Sequence, residues 1–183
     1  MLLEVLIGIA VVIAVLAAVI AMRPSEFRVA RSATIHAAAP AVFAEVNDMR
    51  RWLAWSPFEK SDPAMQREFS GAPAGEGAAY GWSGNKHAGE GRATIVESRA
   101  NELIRIRLDF VRPFKGTNVA EFAFQPQGGQ TVVTWSMSGK ANFMFKAIGL
   151  FMNCEEMCGK QFEDGLAKLG SVVTSGPARA NAA

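Results

Sequence analysis

Apolar residues recur at three- and four-residue steps along one stretch near the C-terminus, from Asn142 to about Val173. Phe151, Cys154, Cys158, Phe162, Gly165, Leu166, Leu169 and Val173 share a stripe, while Lys146, Glu155, Glu156, Lys160, Glu163, Asp164 and Lys168 mostly take the other positions. That period predicts one long amphipathic helix. Between Glu26 and Ser138 the period is two instead. Phe27, Val29, Ala33 and Ile35 alternate with Arg28, Ser32 and Thr34, and Ile104, Ile106, Leu108 and Phe110 alternate with Arg105, Arg107 and Asp109. Ala120, Phe122 and Phe124, then Val133, Trp135 and Met137 beyond the Gly128-Gly129 turn, continue the series. Such alternation predicts antiparallel strands, each with one buried face. From Gln66 to Ser98 glycines punctuate Tyr80, Trp82, Ala93 and Ile95, which marks bulges, bends or close backbone approach, and Gly84-Asn85-Lys86 reads as a hairpin turn.

Two short helices precede these strands. Ala39-Pro40 opens the first, with Val42, Phe43 and Val46 facing inward, and a second turn carries Met49, Trp52 and Leu53. The following loop, Trp55 to Pro63, is either pinned over an apolar opening or caps the core. At the N-terminus Val5 to Met22 is an unbroken apolar run of about eighteen residues, enough to span about 27 Å of hydrocarbon as a helix. A cleaved signal peptide is the rival reading, with Val19-Ile20-Ala21 as its cleavage site, but Met1-Leu2-Leu3-Glu4 has no Lys or Arg and the run exceeds a usual signal core. Arg23, Arg28 and Arg31 follow the run directly, so the positive-inside rule puts the rest of the chain in the cytoplasm.

The element order is strand, two short helices, about six further strands, then a long helix, which predicts an α+β fold with one antiparallel sheet. Seven strands make a sheet roughly 30 Å wide, whereas one helix is about 10 to 12 Å across. The sheet must therefore curl around the helix, and a curled sheet closed at one end by short helices leaves apolar volume of the kind small molecules occupy. The expected organisation is a transmembrane anchor over 1–24, a ligand-binding domain over 25–173 and a disordered tail over 174–183.

Composition narrows the function. The chain has 183 residues and a formal charge of +2; outside the first 22 residues 19 basic side chains face 16 acidic ones. No basic stripe with interleaved aromatics stands out, so nucleic acid is not expected as a partner. Cys154 and Cys158, four apart on the apolar stripe, read as buried packing residues, because a lone pair with no nearby His or third Cys is a weak metal signal. No metal and no cofactor are expected. Gly89-Glu90-Gly91 lacks a third Gly or a Lys and leads into a strand, so it is not a phosphate loop.

The segments Trp55-Ser56-Pro57-Phe58-Glu59-Lys60, Trp82-Ser83-Gly84-Asn85, Gly89-Glu90-Gly91-Arg92, Val133-Thr134-Trp135 and Phe162-Glu163-Asp164-Gly165-Leu166 resemble the polyketide cyclase/dehydrase-like branch of the START-related helix-grip superfamily (SRPBCC). The resemblance runs from about Phe27 to Val173. It implies a curled sheet of about seven strands gripping the C-terminal helix, with a hydrophobic ligand pocket between them; members include lipid carriers, hormone binders and aromatic cyclases. The apolar N-terminal run is not part of that pattern.

Catalysis needs a positioned acid or base. His36 and His87 stand in no recognisable constellation, and Glu59 and Asp62, placed at the mouth of the expected pocket, either orient a ligand or serve a loop. Binding needs only an apolar lining. The candidates for it are Trp55, Trp82, Phe110, Phe122, Trp135, Phe151 and Met152, with Met144, Met152 and Met157 as adaptable gap-fillers. The sequence thus points to membrane-tethered binding or transport of a hydrophobic small molecule or lipid, with a cyclase or dehydratase and a ligand-free interaction module as alternatives.

Overall fold

A computed structural model describes residues 2–141, 143–149 and 154–176. Phe151 and Met152, and the tail beyond 176, lie outside the described residues. In chain order the elements are α1 (Leu2–Met22), β1 (Glu26–Ile35), α2 (Ala39–Asn47), a 3-10 turn (Met49–Arg51), α3 (Trp52–Trp55), a 3-10 turn (Pro57–Lys60) and β2 (Gln66–Gly71). There follow β3 (Ala78–Ser83), β4 (Glu90–Arg99), β5 (Leu103–Arg112), β6 (Gly116–Gln127), β7 (Gln130–Lys140), α4 (Phe143–Ile148) and α5 (Cys154–Thr174).

The alternating segments form one seven-stranded antiparallel sheet in the order β1-β7-β6-β5-β4-β3-β2. Register places Arg31 opposite Trp135, Phe122 opposite Trp135, Ile106 opposite Ala120 and Tyr80 opposite Ala93, so the inward sets of neighbouring strands share one concave face. Two interruptions help the sheet curl. Glu90 pairs with Arg112 but Gly91 with Phe110, which leaves Val111 over, and Ile95 pairs with Ile106 but Glu97 with Arg105, which leaves Val96 over. An extra residue in one strand bends it and increases its twist.

Helix α5 presents Phe162, Leu166 and Leu169, all buried, to that face, as the three- and four-residue spacing requires. The structure describes the long C-terminal helix from Cys154 to Thr174. α4 ends at Ile148 and Gly149 lies in a turn, its carbonyl accepting from Arg23 Nη1 at 3.0 Å; residues 150–153 lie outside the described residues. Glycine has low helix propensity and its carbonyl here takes a long-range cap, so among the described residues the amphipathic pattern is helical over Phe143–Ile148 and Cys154–Thr174 with a turn at Gly149.

The tryptophan-rich segment is core rather than loop. Trp52 Nε1 donates to Val46 O at 2.9 Å and Trp55 Nε1 to Glu45 O at 3.2 Å, so two indoles satisfy carbonyls at the end of α2 that the helix cannot. Both rings are buried and pack edge-on against Phe122, at 6.1 and 6.0 Å between centroids. With Val42, Val46, Ile104, Phe124, Val133, Leu166 and Leu169 they fill one end of the grip solidly.

Candidate ligand-binding site

The concave face is packed at one end and half-buried at the other. At the packed end Phe122 and Trp135 stack at 4.7 Å, Trp135 and Phe162 stack at 4.3 Å with their planes 10° apart, and Trp55 meets Trp135 at 5.9 Å. Gly165 makes this possible: a Cβ there would lie 2.8 Å from Trp135 Cζ3 and 3.0 Å from Pro57 Cδ. Toward the start of β1 and the end of β7 the inward positions are Phe27, Leu108, Phe110, Met137 and Trp82, each only partly buried. Asn118 is the polar residue among them, and its amide donates to Met137 Sδ at 3.9 Å.

Of the expected lining, the structure therefore brings Trp55, Phe122 and Trp135 together as a mutually packed aromatic cluster. Trp82 and Phe110 form a separate group, 5.8 Å apart, that continues through Tyr80 to Phe69. Trp82 lies over Gly91, where a Cβ would come within 2.5 Å of its ring, and its Nε1 donates to Ala88 O at 3.1 Å. Of the methionine gap-fillers, Met157 is exposed, and the side chain of Met144 lies outside the described residues.

Four indole N–H groups are present and three donate to backbone carbonyls. The fourth, Trp135 Nε1, is buried, in a residue 3% exposed, and meets no acceptor among the described residues. It sits across the bicycle from Cζ3, hence on the edge of the ring away from Gly165 and Pro57. A buried donor without an acceptor is uncommon and costly; the other such atom among the described residues, the Thr94 hydroxyl, lies on the opposite face of the sheet beside Arg107, so Trp135 Nε1 is the one on the concave face.

The expected mouth carboxylates are both engaged by protein donors. Glu59, its side chain 9% exposed, accepts from Arg67 Nε at 2.7 Å and from Tyr80 Oη at 2.6 Å. Burial first, then the hydrogen bond to Glu59, pushes the Tyr80 pKa up, so the phenol stays protonated; the same carboxylate raises that of Arg67. Asp62, buried, accepts from Asn85 N at 2.8 Å and Ala64 N at 3.0 Å, tying the β3–β4 turn to the segment before β2. Tyr80 and Arg67 were invisible as a pair in the sequence because their meeting depends on the β2–β3 register.

Arg31 also occupies an inward position, where it interrupts the apolar alternation of β1. Its Nε donates to Glu163 Oε1 at 2.8 Å, and its guanidinium lies where a Cβ on Gly159 would collide. The glycine on α5 thus makes room for a cation under the helix.

A family model described as polyketide cyclase/dehydrase and lipid transport matches residues 26–174. The chain belongs to this family. Its members' helix-grip fold is what the seven strands and α5 build. Among solved structures, the chain is similar to MLL2253 from Mesorhizobium loti, with 12% identity over 81% of this chain and 97% of that one and a TM-score of 0.59. It is similar to CV1439 from Chromobacterium violaceum at 15% identity, over 82% and 98% of the two chains, with a TM-score of 0.56. Ara h 8.0201 matches at 13% identity over 82% and 99%, with a TM-score of 0.55. Identities this low establish the fold and nothing about ligands. No curated protein matches the chain.

Proposed function

We propose that this member of the polyketide cyclase/dehydrase and lipid transport family binds or carries a hydrophobic small molecule or lipid in the trough between the sheet and α5, while tethered to a membrane by α1. The observation that carries the reading is the unequal concave face: Phe27, Leu108, Phe110, Met137 and Trp82 are half-buried around Asn118, beside a Trp135 N–H that lacks an acceptor. An apolar wall with a few convergent polar groups is the usual form of such a site. The family description supports lipid-like cargo without naming it.

The tether rests on α1, whose 21 residues form a helix with no buried side chain, long enough at about 31 Å to cross a bilayer. The three arginines after it favour a cytoplasmic domain. A cyclase or dehydratase would need a free acid or base in the trough, and the buried carboxylates among the described residues, Glu59 with Arg67 and Tyr80 and Asp62 with Asn85 and Ala64, are already engaged by protein donors.

Native mass spectrometry of the full chain from its own host, freed of detergent, tests both parts. A stoichiometric apolar adduct and an intact N-terminus are expected. An empty protein that also refuses fluorescent lipid analogues overturns the carrier reading, and a mass lacking the first residues overturns the tether.

A further inference from the structure

Strand register places one set of turns at the end of the sheet where α1 joins β1. Glu26 pairs with Lys140, Phe110 with Gly116, and Glu90 with both Arg112 and Ser83, so the β3–β4 turn, the β5–β6 turn and the end of β7 all lie there. This is also the half-buried end of the trough. It carries a group of exposed apolar side chains: Phe114 at the β5–β6 turn is 39% exposed, Val111, the bulge residue beside it, 45%, and Phe143 on α4 52%.

The lysines on the connections are distributed unevenly. Lys86, Lys115 and Lys140 lie one on each of those three connections, none in an ion pair among the described residues, with Arg23 and Lys146 nearby. The acidic groups at this end are Glu90, bonded to Arg112 at 2.7 Å, Asp109, bonded to Arg107 at 2.8 Å, Asp62, which accepts from the β3–β4 turn, Glu26 in register with Lys140, and Glu155 and Glu156 in the first turn of α5. At the opposite end the β2–β3 connection carries Glu76, the β4–β5 turn Glu102 and the β6–β7 turn only Gly128 and Gly129; the cations there are arginines, Arg50 bonded to Pro73 O, Arg51 paired with Glu45 and Arg99 paired with Glu97, and no lysine stands on these three connections.

From this asymmetry, and resting on the tethered-carrier reading above, we infer that the open end of the grip docks on an anionic bilayer leaflet. The β5–β6 tip and α4 enter the interface, so that the trough opens onto the membrane. Only Arg23, Pro24 and Ser25 separate α1 from β1, so a helix seated in the bilayer holds this end of the domain at the surface. Apolar tips flanked by lysines suit such an interface, where apolar burial and attraction to anionic headgroups add. The cargo would then pass between leaflet and trough without crossing water.

The full chain is reconstituted through α1 into phosphatidylcholine vesicles with acyl chains brominated, with and without phosphatidylglycerol. Fluorescence quenching of Phe114→Trp is compared with the parent chain and with Val96→Trp, a bulge residue in the half of β4 away from that end. Excess quenching of Phe114→Trp is expected, stronger with phosphatidylglycerol. Each of Lys86→Gln, Lys115→Gln and Lys140→Gln should lower the docked-to-undocked ratio about fivefold. Quenching no greater than that of Val96→Trp overturns the docking, and equal quenching in both vesicle types overturns its headgroup dependence. Uptake of a fluorescent fatty acid, measured on the same samples, separates the two readings: uptake without excess quenching overturns docking alone, and quenching without uptake overturns the cargo instead.

Discussion

Replacing Trp135 with Phe removes an indole N–H that has no acceptor while keeping a ring to stack between Phe122 and Phe162. Leaving a buried donor unmade costs about 1–3 kcal/mol, so its removal returns that much. The lost ring atoms leave a small void, which costs about 1–2 kcal/mol on the scale of large-to-small core changes. The two nearly cancel, and the ligand-free protein should stay within about 1 kcal/mol of the parent, against a loss of about 3–5 kcal/mol for Trp135→Ala. Trp52→Phe and Trp55→Phe make the same chemical change where the N–H is bonded, to Val46 O and Glu45 O. There a bond is lost and a carbonyl is orphaned, so each should be about 1–3 kcal/mol worse than Trp135→Phe. If a ligand oxygen accepts from Trp135, its affinity should fall about two- to tenfold in Trp135→Phe. Guanidinium unfolding of the full chain in non-ionic detergent, followed by far-UV circular dichroism, reads the first effect, and displacement of a fluorescent lipid analogue the second. If Trp135→Phe is as damaging as Trp55→Phe and leaves affinity unchanged, the unmet donor has no part in binding.

Three further outcomes are expected. Gly165→Ala sets a Cβ 2.8 Å from the rigid Trp135 ring and should destabilise by about 1–3 kcal/mol, while Gly159→Ala meets only the movable guanidinium of Arg31 and, helped by helix propensity, should be near neutral in the same unfolding assay. Because burial and the bond to Glu59 raise the Tyr80 pKa above its unfolded value of about 10, that contribution to stability is complete below about pH 10 and lost as pH climbs toward the folded value. Denaturation midpoints should therefore fall less steeply above about pH 10 in Tyr80→Phe than in the parent, and identical slopes would count against the linkage. Leu108→Trp, which adds volume on the half-buried wall, should abolish uptake of lipid analogues with the unfolding midpoint little changed; undiminished uptake would place the cargo elsewhere.

The strands were legible because burial on one face imposes a period of two, and the inward sets on β1, β5, β6 and β7 are those the alternation marks out. The curl followed from a width argument, yet its local means did not: Val96 and Val111 look like ordinary strand residues, and only the register leaves each of them over. The turn at Gly149 was hidden for a similar reason. Gly149 alone does not end a helix, and the acceptor it offers Arg23 comes from 126 residues away.

The site was less legible than the fold because the same residue types serve two ends of one surface. Trp55, Phe122 and Trp135 were chosen for size and apolarity, and those properties also make them close-packed core around Leu166 and Leu169. What separates a wall from a core is whether an opposing element fills the space, and α2 and α3 cover only the end of the sheet where β1 finishes. Polar residues on the inner face are the better guide, since each must be answered. Arg31 is answered by Glu163 and a glycine, and Asn118 lies against Met137. Trp135 is answered by nothing among the described residues. An inward donor left open between a filled end and a half-buried apolar wall is what a ligand with one oxygen on a hydrocarbon body would complete. That chemistry also argues for bilayer-borne cargo, because a molecule of this kind partitions into the membrane where α1 would hold the mouth of the trough.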